Sequence, residues 1–226
     1  MYTQADVAAT VDHAVLKPEL TANDVRDAAE MCRARGVCAL CVRPGDVALA
    51  RDVLAGSATK VCAVIGFPHG ANRKETKALE ARLALEDGAV ELDMVMNVGQ
   101  FLSGHHEVVQ QDIEVVVAEA HAANAIVKVI LETCLLTKEQ IAEACHIARR
   151  AGADFVKTST GFSSGGATPE AIAVMIETVG TSMQVKASGG IRDWAGAVAY
   201  LEQGCTRLGI GSTETVLDGG LASSGY

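Results

Sequence analysis

The sequence predicts an α/β fold, and within that class a (β/α)8 TIM barrel formed as a single domain over residues 1–226. Three observations carry the prediction. Short apolar, β-branched runs alternate with amphipathic helical stretches from one end of the chain to the other. Eight such strand-plus-helix units fit into 226 residues, which favours a closed parallel barrel over an open doubly wound sheet. The composition is 49% hydrophobic but only 4% aromatic, so Ala, Val, Ile and Leu must do the packing, as in α/β proteins, and a disordered chain is excluded.

The strands are expected at about 9–13, 37–43, 60–66, 89–95, 126–132, 153–159, 184–188 and 206–211. Between them the helices announce their ends. Thr137 followed by Gln140 reads as a capping box. Thr168-Pro169-Glu170 supplies an N-cap, a proline at the first helical position and an acid in the first turn. Asp193 caps a helix that Gly204 ends. The tail 218–226, rich in Gly and Ser, is expected to be mobile.

Charge and cysteines narrow the function classes. A net charge of −9 argues against nucleic acid and anionic lipid as partners, while leaving room for a phosphorylated small molecule held at a local site. Seven cysteines, an odd number scattered through apolar runs, read as reduced thiols of a cytoplasmic protein. Cys38 and Cys41 form a CxxC, but three apart on a strand they face opposite ways, which disfavours a shared metal. No apolar stretch is long enough to span a bilayer.

Strand parity is the most informative feature. Val90, Leu92 and Met94 share one face of their strand, and Glu91 and Asp93 the other. Val127, Val129 and Leu131 oppose Lys128 and Glu132; Lys157 opposes Val156; Lys186 opposes Val185 and Ala187. Helices cover the outside of a parallel barrel, so the apolar faces point outward and the charges point in. Interior charges are costly unless paired. Glu91 and Lys128, early in their strands, suit a stabilising ion pair. Asp93, Lys157 and Lys186 lie nearer the carboxyl ends, where barrel active sites are built.

Two neighbouring interior lysines disfavour each other's charge, so one should become a neutral amine nucleophile near neutral pH. Such an amine needs a carbonyl substrate, forms an imine and uses it as an electron sink for making or breaking a C–C bond. Asp93 is the nearest group for the accompanying proton traffic. The glycine-rich strand ends Ser159-Thr160-Gly161, Ser188-Gly189-Gly190 and Gly209-Ile210-Gly211-Ser212 suit phosphate, which barrels bind on late loops through backbone N–H groups. His69, at a strand end, reads as a shaper of the site mouth rather than a catalytic group; His105 and His106 fall in a polar stretch, and His121 and His146 inside helices. No His, Asp or Glu cluster has metal-ligand spacing, so neither metal nor cofactor is expected.

The segments Asp154-Phe-Val-Lys-Thr-Ser-Thr-Gly161, Glu91-Leu-Asp-Met-Val-Met-Asn97 and Val185-Lys-Ala-Ser-Gly-Gly-Ile-Arg192 closely resemble the deoxyribose-phosphate aldolase family. The likeness extends through Val11–Leu16, Gly66–Gly70, Lys128–Thr133 and Gly209–Ser212, and so covers nearly the whole chain in order. It implies reversible cleavage of 2-deoxy-D-ribose 5-phosphate to glyceraldehyde 3-phosphate and acetaldehyde. Lys157 matches the Schiff-base lysine, Lys186 the lysine that tunes it, and Asp93 the carboxylate of a proton relay with water. Thr160, Gly161, Gly189, Gly190, Gly211 and Ser212 match the substrate and phosphate pocket, and Asp12 resembles an acid near the substrate hydroxyls. Some members end in a tyrosine that assists proton removal, as this chain ends in Tyr226; some carry a phosphate-holding lysine where this chain has Phe162. The competing readings are another Schiff-base barrel aldolase, transaldolase-like or acting on keto acids, and a phosphate-binding barrel without lyase activity. The oligomeric state is left open, a homodimer being allowed.

Overall fold

The computed structural model describes residues 2–223; Tyr226 and the end of the tail lie outside the described residues. Eight parallel strands close into a barrel in chain order: β1 Val11–Val15, β2 Ala39–Val42, β3 Lys60–Ile65, β4 Glu91–Val95, β5 Ile126–Ile130, β6 Phe155–Lys157, β7 Gln184–Ser188 and β8 Arg207–Ile210. Closure is made by β1 against β8, with Val11 opposite Leu208 and Asp12 opposite Gly209. The helices are α1 Gln4–Ala8, α2 Ala22–Arg35, α3 Val47–Val53, α4 Lys74–Glu86, α5 Val98–Leu102, α6 His106–Ala122, α7 Lys138–Arg150, α8 Pro169–Val179, α9 Trp194–Gln203 and α10 Thr213–Leu217. Among the described residues, no helix is long and apolar enough to cross a membrane.

Capping chemistry sets the helix ends. Thr137 and Gln140 form the reciprocal capping box their spacing predicts, as do Thr21 and Asp24 on α2. Thr168 caps α8 ahead of Pro169, and Asp193 caps α9, which Gly204 ends in a left-handed conformation. The first strand begins two residues later than the sequence suggests. A third capping box, Thr3 with Asp6, starts α1 at Gln4, and Thr10 Oγ1 then donates to Val7 O, so residues 9 and 10 form the turn out of that helix. The beginning of the tail is tied down rather than loose: Gly220 N donates to Thr215 O and Ala222 N to Arg192 O.

The outer face of the barrel packs Leu40, Val42, Leu92, Met94, Val127, Val129, Val156 and Leu208 against the helices. The interior is divided. A small apolar group, Leu16, Ala39, Cys41, Cys62 and Val64, fills the β2–β3 side. The remainder is ionic, with Asp12, Glu91, Asp93, Lys128, Lys157 and Lys186 all buried. Aliphatic packing therefore holds the barrel from outside, while polar pairing fills much of its inside.

One further ion pair lies between the helices and the sheet. Lys77 of α4, fully buried, donates to Asp112 Oδ2 of α6 at 2.5 Å and to Val95 O, the last residue of β4, at 2.9 Å. Burial pushes the Asp112 carboxyl up and the Lys77 amine down, so desolvation works against the pair from both sides. The adjoining loop after β3 packs closely on the same region. Gly70 is left-handed at φ 67°, and a Cβ there would stand 2.2 Å from Met96 O.

Replacing Lys77 with Met should leave Asp112 buried without its partner and cost about 3–5 kcal/mol. Adding Asp112→Leu, which removes both charges, should recover most of that loss, because the desolvation cost disappears with the second charge. Urea unfolding of the two variants measures both values.

Candidate active site

Of the charged residues singled out by strand parity, Asp93, Lys128, Lys157 and Lys186 converge inside the barrel between β4 and β7 with Glu91 beneath them, while Glu132 stands apart beyond β5 and pairs with Thr160. Asp93 of β4 is their hub. Its Oδ2 accepts from Lys157 Nζ at 2.7 Å and from Lys186 Nζ at 2.8 Å, while Oδ1 accepts from Lys128 Nζ at 2.9 Å and from the Cys62 thiol at 3.2 Å. Register explains the convergence. Asp93 lies opposite Lys128 on β5, and Lys157 opposite Lys186 on β7, so all four side chains enter from neighbouring interior positions.

A second carboxylate continues the network. Asp12 of β1 accepts from Lys186 and Arg207, and lies 3.3 Å from Lys128 Nζ. Arg207 also reaches both oxygens of Glu91, at 2.7 and 3.1 Å, and its guanidinium lies 5.9 Å from the centre of the Phe155 ring. Lys128 joins Glu91 at 2.6 Å. Glu91, Lys128 and Arg207 thus form the lower layer that supports Asp93 and Asp12. Sequence reasoning left Arg207 out, although parity along β8 sets it opposite Leu208 and so inside the barrel.

Of the two lysines, one of which repulsion predicts to be depressed, Lys186 is not that one: burial lowers its pKa, but Asp12 and Asp93 outweigh it and hold the ammonium above its ordinary range. Carboxylates stand between the lysines, and parity alone does not reveal them. Burial likewise raises the Asp93 pKa, but Lys128, Lys157 and Lys186 outweigh it and hold the carboxyl well below its usual range; Asp12 is lowered in the same way.

The expected phosphate residues are spread around the rim. Gly161, Gly189 and Gly190 all have φ of 80–85°, which suits glycine. Gly166 lies so close to Gly189 that a Cβ on it would come within 2.2 Å of the Gly189 carbonyl oxygen. Gly211 and Ser212 line a cavity of about 290 Å³ with His13 and Thr213, whereas Gly190 lines another with Arg192 and Tyr200. Thr160 differs from the rest: its hydroxyl and amide both donate to Glu132, so they are engaged within the protein. Glu132 itself is buried in a left-handed conformation, φ 57°, a strained backbone for a non-glycine residue. His69 is exposed and borders a cavity of about 150 Å³ with Glu132, Thr160 and Phe162. Phe162 meets Phe67 edge-on at 5.1 Å.

Ser159 belongs to the strand end Ser159-Thr160-Gly161 that the sequence singles out for phosphate. Its buried hydroxyl has no hydrogen-bond partner among the described residues, and it adjoins Gly189 at the end of β6. A buried polar atom without a partner calls for one.

A parallel barrel that buries lysines and an aspartate together near the carboxyl ends of its strands has the architecture of an aldolase barrel. The chain belongs to the DeoC/LacD aldolase family, whose pattern residues 6–202 match. It is 48% identical over 221 residues to the deoxyribose-phosphate aldolase of Geobacillus sp. (strain WCH70), covering 98% of this chain and 99% of the relative. It is 48% identical over 216 residues to that of Thermococcus gammatolerans, covering 95% and 96%. Among solved structures, the tetrameric deoxyribose phosphate aldolase of Aeropyrum pernix superposes with a TM-score of 0.90 at 34% identity, covering 96% of this chain and 91% of that one.

His13 follows Asp12 on β1 but faces outward, where Nδ1 shares a 2.8 Å hydrogen bond with Thr213 Oγ1 and burial pushes its pKa down to about 4. An unfolded histidine titrates near ~6.5, so between these values the unfolded chain binds a proton that the folded chain refuses. The contribution is therefore intact above pH ~6.5 and falls as pH drops toward 4, by on the order of 3 kcal/mol. Unfolding free energies followed across that window should show the slope, and His13→Gln should flatten it.

Proposed function

We propose that the chain is a deoxyribose-phosphate aldolase that cleaves 2-deoxy-D-ribose 5-phosphate reversibly to D-glyceraldehyde 3-phosphate and acetaldehyde through an imine on Lys157. The observation that carries this reading is the joint approach of Lys157 and Lys186 to one carboxylate oxygen of Asp93. A purely structural ion pair needs one cation for that oxygen. Within the buried cluster, Lys128, Lys157, Lys186 and Arg207 meet Asp12, Glu91 and Asp93, so buried cations outnumber carboxylates by one, while half-exposed Lys60 meets Glu91 from the solvent side at 3.4 Å. Surrender of one amine proton brings the cluster to neutrality, which favours a neutral nucleophile in a buried setting.

In the proposed reaction, neutral Lys157 Nζ adds to C1 of the open-chain sugar aldehyde, and water leaves as the iminium forms. Removal of the C3 hydroxyl proton breaks the C2–C3 bond; its electron pair flows into the iminium and gives an enamine. Glyceraldehyde 3-phosphate departs. Protonation of the enamine carbon and addition of water then release acetaldehyde and regenerate the amine. Asp93, working with water and the Lys186 ammonium, carries these protons. Asp12, through its contact with Lys186, is the supporting acid.

For the phosphate we propose the glycine-rich ends of β6 to β8, with Gly161, Gly189, Gly190, Gly211 and Ser212 offering backbone N–H groups in front of the buried, unpartnered Ser159 hydroxyl. Phe162, packed on Phe67, offers no cation, so the grip rests on these dipoles. A cytoplasmic location agrees with the acidic chain and its free cysteines. Exposed Leu79, Leu83, Leu102 and Val108 on α4–α6 suit an association of copies, proposed as a homodimer.

Borohydride added with acetaldehyde should trap a stable adduct that peptide mass mapping assigns to Lys157. A label on another lysine, or none, overturns the assignment. Lys157→Ala should lose both trapping and turnover. Asp93→Asn should lower kcat by about a hundred- to ten-thousandfold, the range expected for removal of a positioned proton carrier.

A further inference from the structure

The barrel interior holds two nucleophilic groups that the aldolase reaction does not use. Cys41 of β2 and Cys62 of β3 are register partners on adjacent strands, and both are buried. Their Sγ atoms and a carboxylate oxygen of Asp93 all lie within 4.8 Å of one another. Among the described residues the other thiols stand outside this group: Cys32, Cys145 and Cys205 are buried elsewhere, Cys38 is half-buried and Cys134 exposed. In sequence the two cysteines of the group are far apart, so no motif signals them.

We propose that Cys41, Cys62 and Asp93 form a binding site for a thiophilic divalent cation of the Cd²⁺ class, and that its occupation turns the active site off by drawing Asp93 away from Lys157 and Lys186. The second half of this statement rests on the aldolase reading; the first does not. Two thiolates and one carboxylate are a soft, three-donor set, which thiophilic ions prefer over hard cations. An ion placed among donors this close reaches all three at ordinary thiolate bond lengths of ~2.3–2.5 Å after small side-chain adjustments.

The neighbouring ammonium groups are the main objection, since Lys128 Nζ lies 3.5 Å from Cys62 Sγ. Proton exchange answers it. Two neutral thiols and M²⁺ become M(S–Cys)2 with release of two protons, so the charge of the interior is unchanged and no new repulsion is introduced. Lys128 gives up its contact with Asp93 Oδ1 but retains Glu91 at 2.6 Å. Asp93 then shares its negative charge with the metal and ceases to be the common partner of the two catalytic lysines. Deprotonating buried thiols carries a cost, and only strong metal–thiolate bonds offset it, which restricts the site to thiophilic ions and excludes Mg²⁺ or Ca²⁺.

The test uses the full chain carrying Cys38→Ser and Cys134→Ser, which removes the more accessible thiols. Titration with CdCl2 is followed by the ultraviolet thiolate-to-metal charge-transfer band and by calorimetry in buffers of different ionisation heat. The expected result is one ion per chain, two protons released, and aldol activity lost in step with occupancy and restored by a chelator. Cys62→Ala should weaken binding about tenfold or more, since a direct ligand matters no less than an outer-shell partner. Cys41→Ser, nearly isosteric, should do the same without disturbing the fold. Unchanged Cd²⁺ affinity in both variants, or binding without proton release, would overturn the site. Full occupancy with turnover retained would overturn the switch alone. Because binding is read optically and by heat, a failed aldolase assignment leaves the site itself testable.

Discussion

The burial of Asp93 among three ammonium groups is the constraint on which the rest of this barrel depends. A carboxylate removed from water survives only if its lone pairs are satisfied, and here Lys128, Lys157, Lys186 and the Cys62 thiol satisfy them together. Each donor in turn needs more than one acceptor. Lys186 and Lys128 therefore reach to Asp12, and Lys128 and Arg207 to Glu91. The network joins β1, β3, β4, β5, β6, β7 and β8, so the register of most of the barrel is locked by charge from within as well as by aliphatic packing from outside. A one-residue slip of β1, β4, β5, β6, β7 or β8 would turn its charge into the outer apolar layer.

This arrangement also divides the interior by function. The lower layer, with Glu91, Lys128 and Arg207, is nearly saturated and behaves as a support. In the upper layer, with Asp93, Lys157 and Lys186, one carboxylate oxygen serves two ammonium groups. The upper layer also faces the carboxyl ends of the strands, where the loops after β6, β7 and β8 bring in glycines and the unpartnered Ser159 hydroxyl. Electrostatic imbalance and substrate access thus coincide on the same end of the barrel.

Much of this was legible in the residues. Eight alternating units gave the barrel, and period-two parity gave the interior charges, because both rest on backbone geometry that a sequence expresses directly. What escaped depended on partners distant in the chain. Asp12 entered only through a family resemblance, although it lies in the first strand whether that strand is set at 9–13 or at Val11–Val15 and keeps the same face in both, because its partners Lys186 and Arg207 come from the far end of the chain. Lys77 lies in a charged, helical Lys-Glu-Thr-Lys stretch that resembles a solvated face; it is buried because Val95 O and Asp112 converge there. The rise of the Lys186 pKa was likewise hidden, because parity shows that two lysines are close without showing that carboxylates lie between them.

Carboxylates between the lysines change how the proposed nucleophile is made. Repulsion between two lysines is the simplest route to a neutral amine, but it would leave two desolvated cations in contact whenever the amine was protonated, a costly resting state. Inserting Asp93 removes that cost and at first sight defeats the purpose, since it favours the charged form of every lysine that it touches. The resolution lies in sharing. Oδ2 of Asp93 serves both Lys157 and Lys186, so loss of a proton from one strengthens the bond to the other, and Lys186 has Asp12 as a second anchor that keeps it the cation of the pair. Asp12 on β1 thus fixes the charge on Lys186, and on the proposed reading Lys157 is the amine that gives up its proton and carries the imine.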